Sequence, residues 1–238
     1  MPKKLLDVVY VLKHDINPYE LTYSLRSVEK NFPCRKVWFV GGQPKGFEPD
    51  GRIEHKQVGD CKWEMIKSSL RKVLEEPDIT EDFFWFNDDF FIMKKVTGKF
   101  VNFADKTLSW RIEDLKKEHP WLNIYGRTVY KVREELKTLG YGEVNFEVHL
   151  PILFNKDLMR KCINLCSSPQ IRSVYGNANR IPYKQKDDVK VYDLDFVPKD
   201  PDFLSTNDNV FRDGKVGELI RGEFSNPSRW ETPTPKGV

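Results

Sequence analysis

Short, continuous runs of apolar residues recur along the first hundred positions of the chain. The segments LDVVYVL (6–12), KVWFVGG (36–42) and FFWF (83–86) have the length and the β-branched or aromatic content of buried strands. A shorter strand is predicted at RIEHKQV (52–58). Because strands this apolar are usually covered on both sides, the pattern predicts a sheet between two layers.

Helical periodicity fills the gaps between these strands. In PYELTYSLRSVEKNF (18–32) apolar residues recur at helical spacing, Pro18 suits a first helical turn and Pro33 follows the end. The segment WEMIKSSLRKVLEE (63–76) is amphipathic. The order strand, helix, strand, strand, helix, strand therefore predicts an α/β sheet with helices on its faces.

The second half of the chain is less regular. Residues 123–142 and 156–166 are predicted to be helical, and 145–154 to be extended. From position 167 onward Asn, Ser, Pro, Gly and Asp dominate, and periodicity is weak. We expect an irregular, α-rich C-terminal portion and a tail from Asn226 that is draped over the domain or loosely ordered.

Composition narrows the class of protein. A length of 238 residues fits one domain, or one domain with an elaborated second lobe. Lys and Arg number 39 against 36 Asp and Glu, a balance that does not by itself indicate a nucleic-acid partner. No run of about 18 apolar residues occurs, and Asp7 interrupts the first apolar stretch, so we expect neither a membrane span nor a signal peptide.

The cysteines favour a reducing compartment. Cys34, Cys61, Cys162 and Cys166 form no CxxC pair, and the last two have no local histidine that would make a zinc site. We expect reduced thiols that pack as small apolar side chains, and a cytoplasmic location.

The sequence FFWFNDDFFIM (83–93) sets Asn87, Asp88 and Asp89 in the most hydrophobic stretch of the chain, although buried unpaired carboxylates are costly. Ligands of open α/β sheets bind beyond the carboxyl ends of strands, where these residues would lie. Along an extended chain Asp88 would point away from the other two, whereas a turn would let the acids converge. Mg²⁺ or Mn²⁺, which prefer oxygen ligands, would neutralise them. A plain polar turn is the alternative.

Several blocks together resemble the Stealth family, which includes bacterial capsule sugar-phosphate transferases and the lysosomal N-acetylglucosamine-1-phosphotransferase. The blocks are DVVYVLKHD, YSLRSVEKNFPCRKVWFVGGQP, FFWFNDDFF, FEVHLPILFNKDLM and QIRSVYGN, and they cover about two-thirds of the chain. The first strand departs from the family pattern, because Leu12-Lys13-His14-Asp15 stands where the family has Trp-Val-Asp-Gly. The chain also lacks the family's long insertions and is similar to compact bacterial or phage forms.

The resemblance implies a GT-A-like (Rossmann-like) mixed sheet, a nucleotide-sugar donor, with a UDP-sugar expected, and a Mn²⁺ or Mg²⁺ ion. It implies metal binding by Asp88 and Asp89. The donor-binding residues would be Tyr10, Lys13, Asp15, Arg26, Asn87 and Arg172, and the catalytic candidates are His149, Glu147 and Asp208. We expect one GT-A-like domain over 1–225, with a nucleotide-sugar-binding half (6–100), an acceptor and catalytic half (101–225) and a tail (226–238).

Each of these candidates also has a plainer interpretation. Arg26 could be a surface arginine that caps its own helix, Asp15 a loop acid, and Arg172 and Asp208 turn residues. His149 lies in a mostly apolar stretch, and Glu147 would share its side of an extended segment. An acid beside a histidine can make it a proton donor or acceptor near neutral pH, or the pair could be a buried structural contact.

Three functions therefore remain open. We predict a metal-dependent glycosyltransferase that moves a sugar from a nucleotide sugar to an acceptor hydroxyl. The alternatives are a Stealth-type sugar-1-phosphate transferase and a non-catalytic module that binds nucleotides or carbohydrates. A glycan, a protein or modified DNA could be the acceptor, and the sequence does not choose among them.

Overall fold

A computed structural model describes residues 5–59 and 62–232 of the protein. The strands are β1 (Asp7–Leu12), β2 (Val37–Gly41), β3 (Gly51–Glu54), β4 (Asp82–Phe86), β5 (Phe90–Ile92), β6 (Asn102–Ala104), β7 (Ile152–Asn155), β8 (Tyr183–Gln185), β9 (Lys190–Val191) and β10 (Phe203–Thr206). The helices are α1 (Tyr19–Asn31), α2 (Lys62–Glu75), α3 (Leu108–Glu118), α4 (Ile124–Thr138), α5 (Lys156–Cys162), α6 (Ile171–Ala178), α7 (Asp208–Asp213) and α8 (Lys215–Glu223).

The main sheet has the strand order β3-β2-β1-β4-β7. The first four strands are parallel, and β7 pairs with β4 in the antiparallel direction. Tyr10 of β1 lies between Phe39 of β2 and Phe86 of β4, so the carboxyl ends of these strands meet at one edge of the sheet. This edge carries the loop 13–18 and the turn 87–89.

Helices cover both faces of this sheet. On one face α1 packs through Leu21, Leu25 and Val28 against side chains of β1, β2 and β4. On the other face α2 and the helices α3 to α6 bury the alternate side chains, including Val9 and Trp85. The mixed α/β sheet with helices on both faces, predicted from the sequence, is confirmed.

A second, smaller sheet begins directly after the 87–89 turn, with β5. Its strand order is β5-β10-β9, and β5 pairs with β10 in the antiparallel direction. Phe91 of β5 stacks on Phe211 of α7 with 5.3 Å between ring centroids, and α7 and α8 complete a separate apolar cluster there. This explains why FFIM follows the two acids directly: the chain leaves one buried strand and enters another.

The order from β1 to β4 agrees with the sequence prediction, but the second half required corrections. Most of the predicted extended segment 145–154 is not a strand, because residues 148–150 form a bend. The strand begins only at Ile152 and ends at Asn155. The predicted helices 123–142 and 156–166 end earlier, at Thr138 and Cys162. Helices α3, α6, α7 and α8 were not predicted individually, although an α-rich C-terminal portion was. Side-chain caps help to fix two of them, with Thr107 accepting from Trp110 N and Asn207 from Val210 N.

Residues 226–232 of the tail pack onto the domain. Trp230 is buried, and its Nε1 donates a hydrogen bond to Asp50. The described part of the tail is therefore draped rather than loose, and residues 233–238 lie outside the described residues. The division of the domain into a donor half and an acceptor half stays a prediction.

The remaining expectations concern thiols and membranes. Cys34, Cys162 and Cys166 are free thiols, as expected, and Cys61 lies outside the described residues. Among the helices of the described ranges, none has both the length and the apolar character needed to cross a bilayer.

Candidate functional site

The predicted acids lie at the carboxyl edge of the main sheet. Strand β4 ends at Phe86, and Asn87, Asp88 and Asp89 turn the chain into β5. Ser24 of α1 fixes this turn, because its hydroxyl donates to the carbonyl of Phe90 at 2.5 Å. The turn brings the two acids together, which an extended chain would not do.

Asp89 has one satisfied and one unsatisfied carboxylate oxygen. Its Oδ2 accepts hydrogen bonds from Lys190 Nζ at 2.7 Å and from Ser205 Oγ at 3.1 Å. Its Oδ1 is buried and has no hydrogen-bond partner in the described part of the chain. A buried carboxylate oxygen of this kind can accept a hydrogen bond from water or bind a cation.

Two further carboxyl groups lie near Asp89. Burial and the charge of Asp89 raise the pKa of Asp88 to about 6. Glu20 of α1 is 8% exposed and accepts from Thr206 Oγ1 at 2.8 Å. Burial raises the pKa of Glu20 to about 8, and the neighbouring carboxyl groups of Asp89 and Asp208 add to the rise. The site therefore gathers carboxyl groups in a poorly solvated place, which favours their protonated forms when no cation is bound.

The acids fit a divalent cation that takes few protein ligands. Within the described ranges, no three His, Cys, Asp or Glu side chains converge as a metal site. Asp88 and Asp89 can still supply two oxygen ligands. Mg²⁺ typically uses one or two carboxylates and completes its shell with water and phosphate oxygens. The unpartnered Oδ1 of Asp89 is the observation that favours such an ion.

A histidine–aspartate pair lies on the other side of the site. His149 Nδ1 is 2.7 Å from Asp188 Oδ2, and the backbone N–H of His149 donates to Asp188 Oδ1 at 3.0 Å. Both side chains are about one-third exposed (30% and 31%), so solvent or a ligand can reach them. Although burial opposes it, the hydrogen bonds from His149 hold the pKa of Asp188 below its usual value.

Glu147 and Arg172 lie behind this pair. Arg172 Nη1 donates to the carbonyls of Val148 and Leu150 at 2.7 and 2.8 Å, and burial lowers the pKa of its guanidinium. Glu147 accepts from the backbone N–H of Ser173 at 2.9 Å, and burial raises its pKa although the charge of Arg172 opposes this. These contacts hold the backbone on which His149 stands.

Helices α3 and α4 supply a further wall. The guanidinium of Arg111 lies 5.9 Å from the ring centre of Tyr125. Burial and the charge of Glu147 raise the pKa of Tyr125 to about 12, so it remains a neutral phenol at physiological pH. The site is thus bordered by α1, the 87–89 turn, the segment 188–190 and these two helices.

Several predicted donor-binding residues lie elsewhere or remain exposed at the edge. Arg26 is engaged by Glu231 through Nε at 2.9 Å and Nη2 at 2.7 Å, so its guanidinium anchors the tail. Tyr10 is fully buried, and its hydroxyl pairs with Ser24 Oγ at 2.8 Å. Lys13 and Asp15 are exposed on the loop after β1. The structure therefore gathers Asp88, Asp89, Asp208, His149, Glu147 and Arg172 around the site and leaves Arg26 and Tyr10 outside it.

Sequence reasoning missed Glu20, Lys190 and Asp188. Glu20 resembles an ordinary acid of a first helical turn. Lys190 and Asp188 belong to the polar run KQKDDVK, which has no distinguishing pattern. Their partners lie 39 to 186 positions away, so nothing local identifies them.

Two surface cavities lie apart from this site. One, of about 420 Å³, adjoins Lys67 and Cys166, and the other, of about 490 Å³, adjoins Arg35 and Lys156. Lys67 and Lys156 each donate to backbone carbonyls there. Neither cavity gathers acids and a histidine, so the candidate site is assigned by its chemistry rather than by concavity.

No family model matches this sequence, and no curated protein matches it significantly. Among solved structures, the crystal structure of the glycosyltransferase GlyE of Streptococcus pneumoniae TIGR4 is similar over 55% of this chain and 43% of that chain. The identity is 10% and the TM-score is 0.32. The matched part is less than half of that structure's length, and a likeness this weak carries no argument about fold or function.

Proposed function

We propose that the protein is a metal-dependent glycosyltransferase that moves a sugar from a nucleotide sugar to an acceptor hydroxyl. The observation that carries this proposal is the buried, unpartnered Oδ1 of Asp89, next to Asp88 and Glu20, at the carboxyl edge of a parallel sheet. Charged ligands of α/β sheets bind at this edge. A plain polar turn would account for Asp88 and Asp89. It would not account for the third carboxyl group, Glu20, which α1 brings near them.

Asp88 and Asp89 would hold the Mn²⁺ or Mg²⁺ ion. When bound, the ion would neutralise charge on the diphosphate leaving group. Burial is the largest cause of the raised pKa values of Asp88 and Glu20, and the neighbouring carboxyl groups add to it. A bound cation would favour the ionised forms of both acids. Lys13, Asp15 and Asn87 stand at the same edge and would contact the nucleotide.

His149 is the residue we assign as the base. With Nδ1 held by the ionised carboxylate of Asp188, the imidazole is oriented so that Nε2 can take the proton of the acceptor hydroxyl. Glu147 is bound to the backbone of α6, and we assign it to support of His149 rather than to proton transfer. Asp208 is exposed next to Glu20 and stays a second candidate base.

Transfer of sugar-1-phosphate, as in the Stealth family, is the second candidate. Cations near the acids favour it, because a transferred phosphoryl group carries charge on its equatorial oxygens. Lys190 bonds directly to Asp89, and the charges of Arg172 and Lys13 act on Asp89 and Asp88. In this reaction the phosphate attached to the sugar would move with the sugar to the acceptor, and the nucleoside monophosphate would leave.

The test is nucleotide release from a panel of nucleotide sugars with Mn²⁺, Mg²⁺ or EDTA, read by mass spectrometry. Metal-dependent release of a nucleoside diphosphate is the expected result, and release of a nucleoside monophosphate would establish sugar-phosphate transfer instead. Release could be absent because no acceptor is present, so calorimetry should also measure the binding of the same donors with and without the metal. If no nucleotide is released and donor binding does not depend on the metal, the proposal is wrong.

A further inference from the structure

The ammonium group of Lys190 binds the carboxylate of Asp89, which is a proposed ligand of the metal. Lys190 Nζ lies 2.7 Å from Asp89 Oδ2, and the two side chains are only 15% and 12% exposed. Strand β9 fixes the backbone of Lys190, because it pairs with β10 opposite Ser205. The hydroxyl of Ser205 donates to the same Asp89 oxygen at 3.1 Å. The contact is therefore built into the second sheet and is not a loose surface pair.

The surrounding charges make this ammonium necessary when no metal is present. Asp88 and Glu20 are acids near Asp89, and Asp208 lies beside Glu20. Of the other cations, Arg172 lies near Asp89 and Lys13 near Asp88. Arg172 Nη1 donates its hydrogen bonds to two backbone carbonyls, and Lys13 is exposed to solvent. Lys190 is the cation that hydrogen-bonds to Asp89 within the described residues. Without it, the buried carboxylate of Asp89 would have no charged hydrogen-bond partner among the described residues, which is strongly unfavourable.

A divalent ion and this ammonium would compete for the same carboxylate. An ion at the free Oδ1 of Asp89 would lie within a few ångströms of the ammonium on Oδ2, since both oxygens belong to one carboxyl group. Like charges at such a separation repel strongly in a poorly solvated site. Binding of the ion would therefore weaken or break the contact with Lys190.

We propose that Lys190 is a tethered cation that holds the place of the divalent ion at Asp89 and lowers the affinity of the site for that ion. The inference rests on the metal site of the proposed function. It makes Lys190 a positioning residue: it keeps the acids together when no metal is bound, and it leaves Asp89 when the ion enters.

The experiment is calorimetric titration of the purified full chain with MnCl₂ in the absence of donor, with the melting temperature measured with and without the metal. The variants are Lys190→Met, Lys190→Gln and Lys190→Arg, and Lys161→Met is the matched control. Lys161 is an exposed residue of α5, so its loss removes one positive charge from the protein without freeing Asp89.

We expect Lys190→Met and Lys190→Gln to bind Mn²⁺ about tenfold or more tightly than the wild type, because a competing charge has been removed. Both should melt lower than the wild type without metal and recover when it is added. Lys190→Arg should bind the ion as the wild type does, and Lys161→Met should change the affinity less than about threefold. The glutamine variant keeps the test valid if the methionine variant does not fold.

Unchanged or weaker metal binding in both neutral variants, with a lower melting temperature that metal does not restore, would overturn the inference and make Lys190 a purely structural contact. The proposed function would survive that result. Metal binding that appears only in the neutral variants would support the inference and make the wild-type site metal-free at rest. If none of the proteins binds Mn²⁺ or Mg²⁺, alone or with a nucleotide sugar, the metal site itself is wrong, and the inference falls with it.

Discussion

Asp188 holds His149 with both of its carboxylate oxygens: Oδ2 lies 2.7 Å from the ring nitrogen Nδ1, and Oδ1 accepts the backbone N–H at 3.0 Å. The carboxylate thereby fixes the ring and its backbone together. Such a pair selects the tautomer that carries hydrogen on Nδ1 and leaves Nε2 as a proton acceptor.

Replacing Asp188 should impair turnover without unfolding the protein. In Asp188→Asn the amide can donate to Nδ1 and so favour the wrong tautomer, and we expect kcat to fall by about 100-fold. Nitrogen chemical shifts of the imidazole should report the changed tautomer. Asp187→Asn, the neighbouring exposed acid, is the matched control and should act as the wild type. Equal activity of the two variants would remove His149 from the role of base.

Replacing Asp89 should abolish the metal site. Asp89→Asn keeps an acceptor for Ser205 but loses the charge that binds both Lys190 and the ion. We expect loss of detectable Mn²⁺ binding and a fall in turnover by about two orders of magnitude or more. Asp157→Asn, an exposed acid on α5, is the control and should change neither quantity. Full activity of Asp89→Asn with a retained fold would contradict the metal assignment.

Glu20 should make the stability of the metal-free protein depend on pH. Its pKa is raised to about 8 by burial and by neighbouring acids, so the folded state holds a proton that the unfolded state releases above about pH 4.5. The free energy of unfolding should therefore be greatest at low pH and fall as pH rises through 8, by an amount on the order of a few kcal/mol. Asp88, with a pKa of about 6, adds to the same slope.

Urea unfolding between pH 5 and 9 checks this dependence. Glu20→Gln keeps an oxygen for Thr206 and removes the titration, so its stability should vary less and exceed that of the wild type at pH 9. Added Mn²⁺ should reduce the difference, because a cation favours the ionised acids. Glu118→Gln, at the exposed end of α3, is the control. A wild type and a glutamine variant with parallel pH curves would rule out the buried proton.

Arg26 should stabilise the fold and not the donor complex. Its two bonds to Glu231 are largely shielded, with the side chains 14% and 15% exposed. Charge-assisted hydrogen bonds of this kind contribute about 1.5–3 kcal/mol, so Glu231→Gln should lower the free energy of unfolding by about that amount. Glu223→Gln breaks the more exposed pair with Lys30 and should cost less than about 1 kcal/mol.

The donor affinity separates this role from the one expected from the sequence. Arg26→Gln should be less stable than the wild type and bind nucleotide sugars equally well, as measured by calorimetry below the melting temperature. A tenfold loss of donor affinity without loss of stability would restore Arg26 to the donor site.

Local patterns were sufficient for one half of the candidate site. The apolar runs of β1 and β4 and the polar residues after them placed Asp88 and Asp89 at the carboxyl edge of the sheet. The same reasoning placed Glu147 beside His149 by assuming an extended segment. The bend at 148–150 makes Asp188 the partner of His149 instead. Alternation along a strand predicts neighbours only where the strand exists.

The sequence by itself determined the alternation of strands and helices up to β4, because burial on both faces demands long apolar runs that are legible along the chain. It also determined that acids would follow β4. Only the tertiary structure decided what surrounds them. Glu20, Lys190 and Asp188 reach the site through pairings across 39 to 186 positions, and short polar segments carry no local signal of such contacts. The physical reason is that the environment of a charged side chain depends on the residues around it in space. A strand or a helix, by contrast, depends largely on the local sequence pattern.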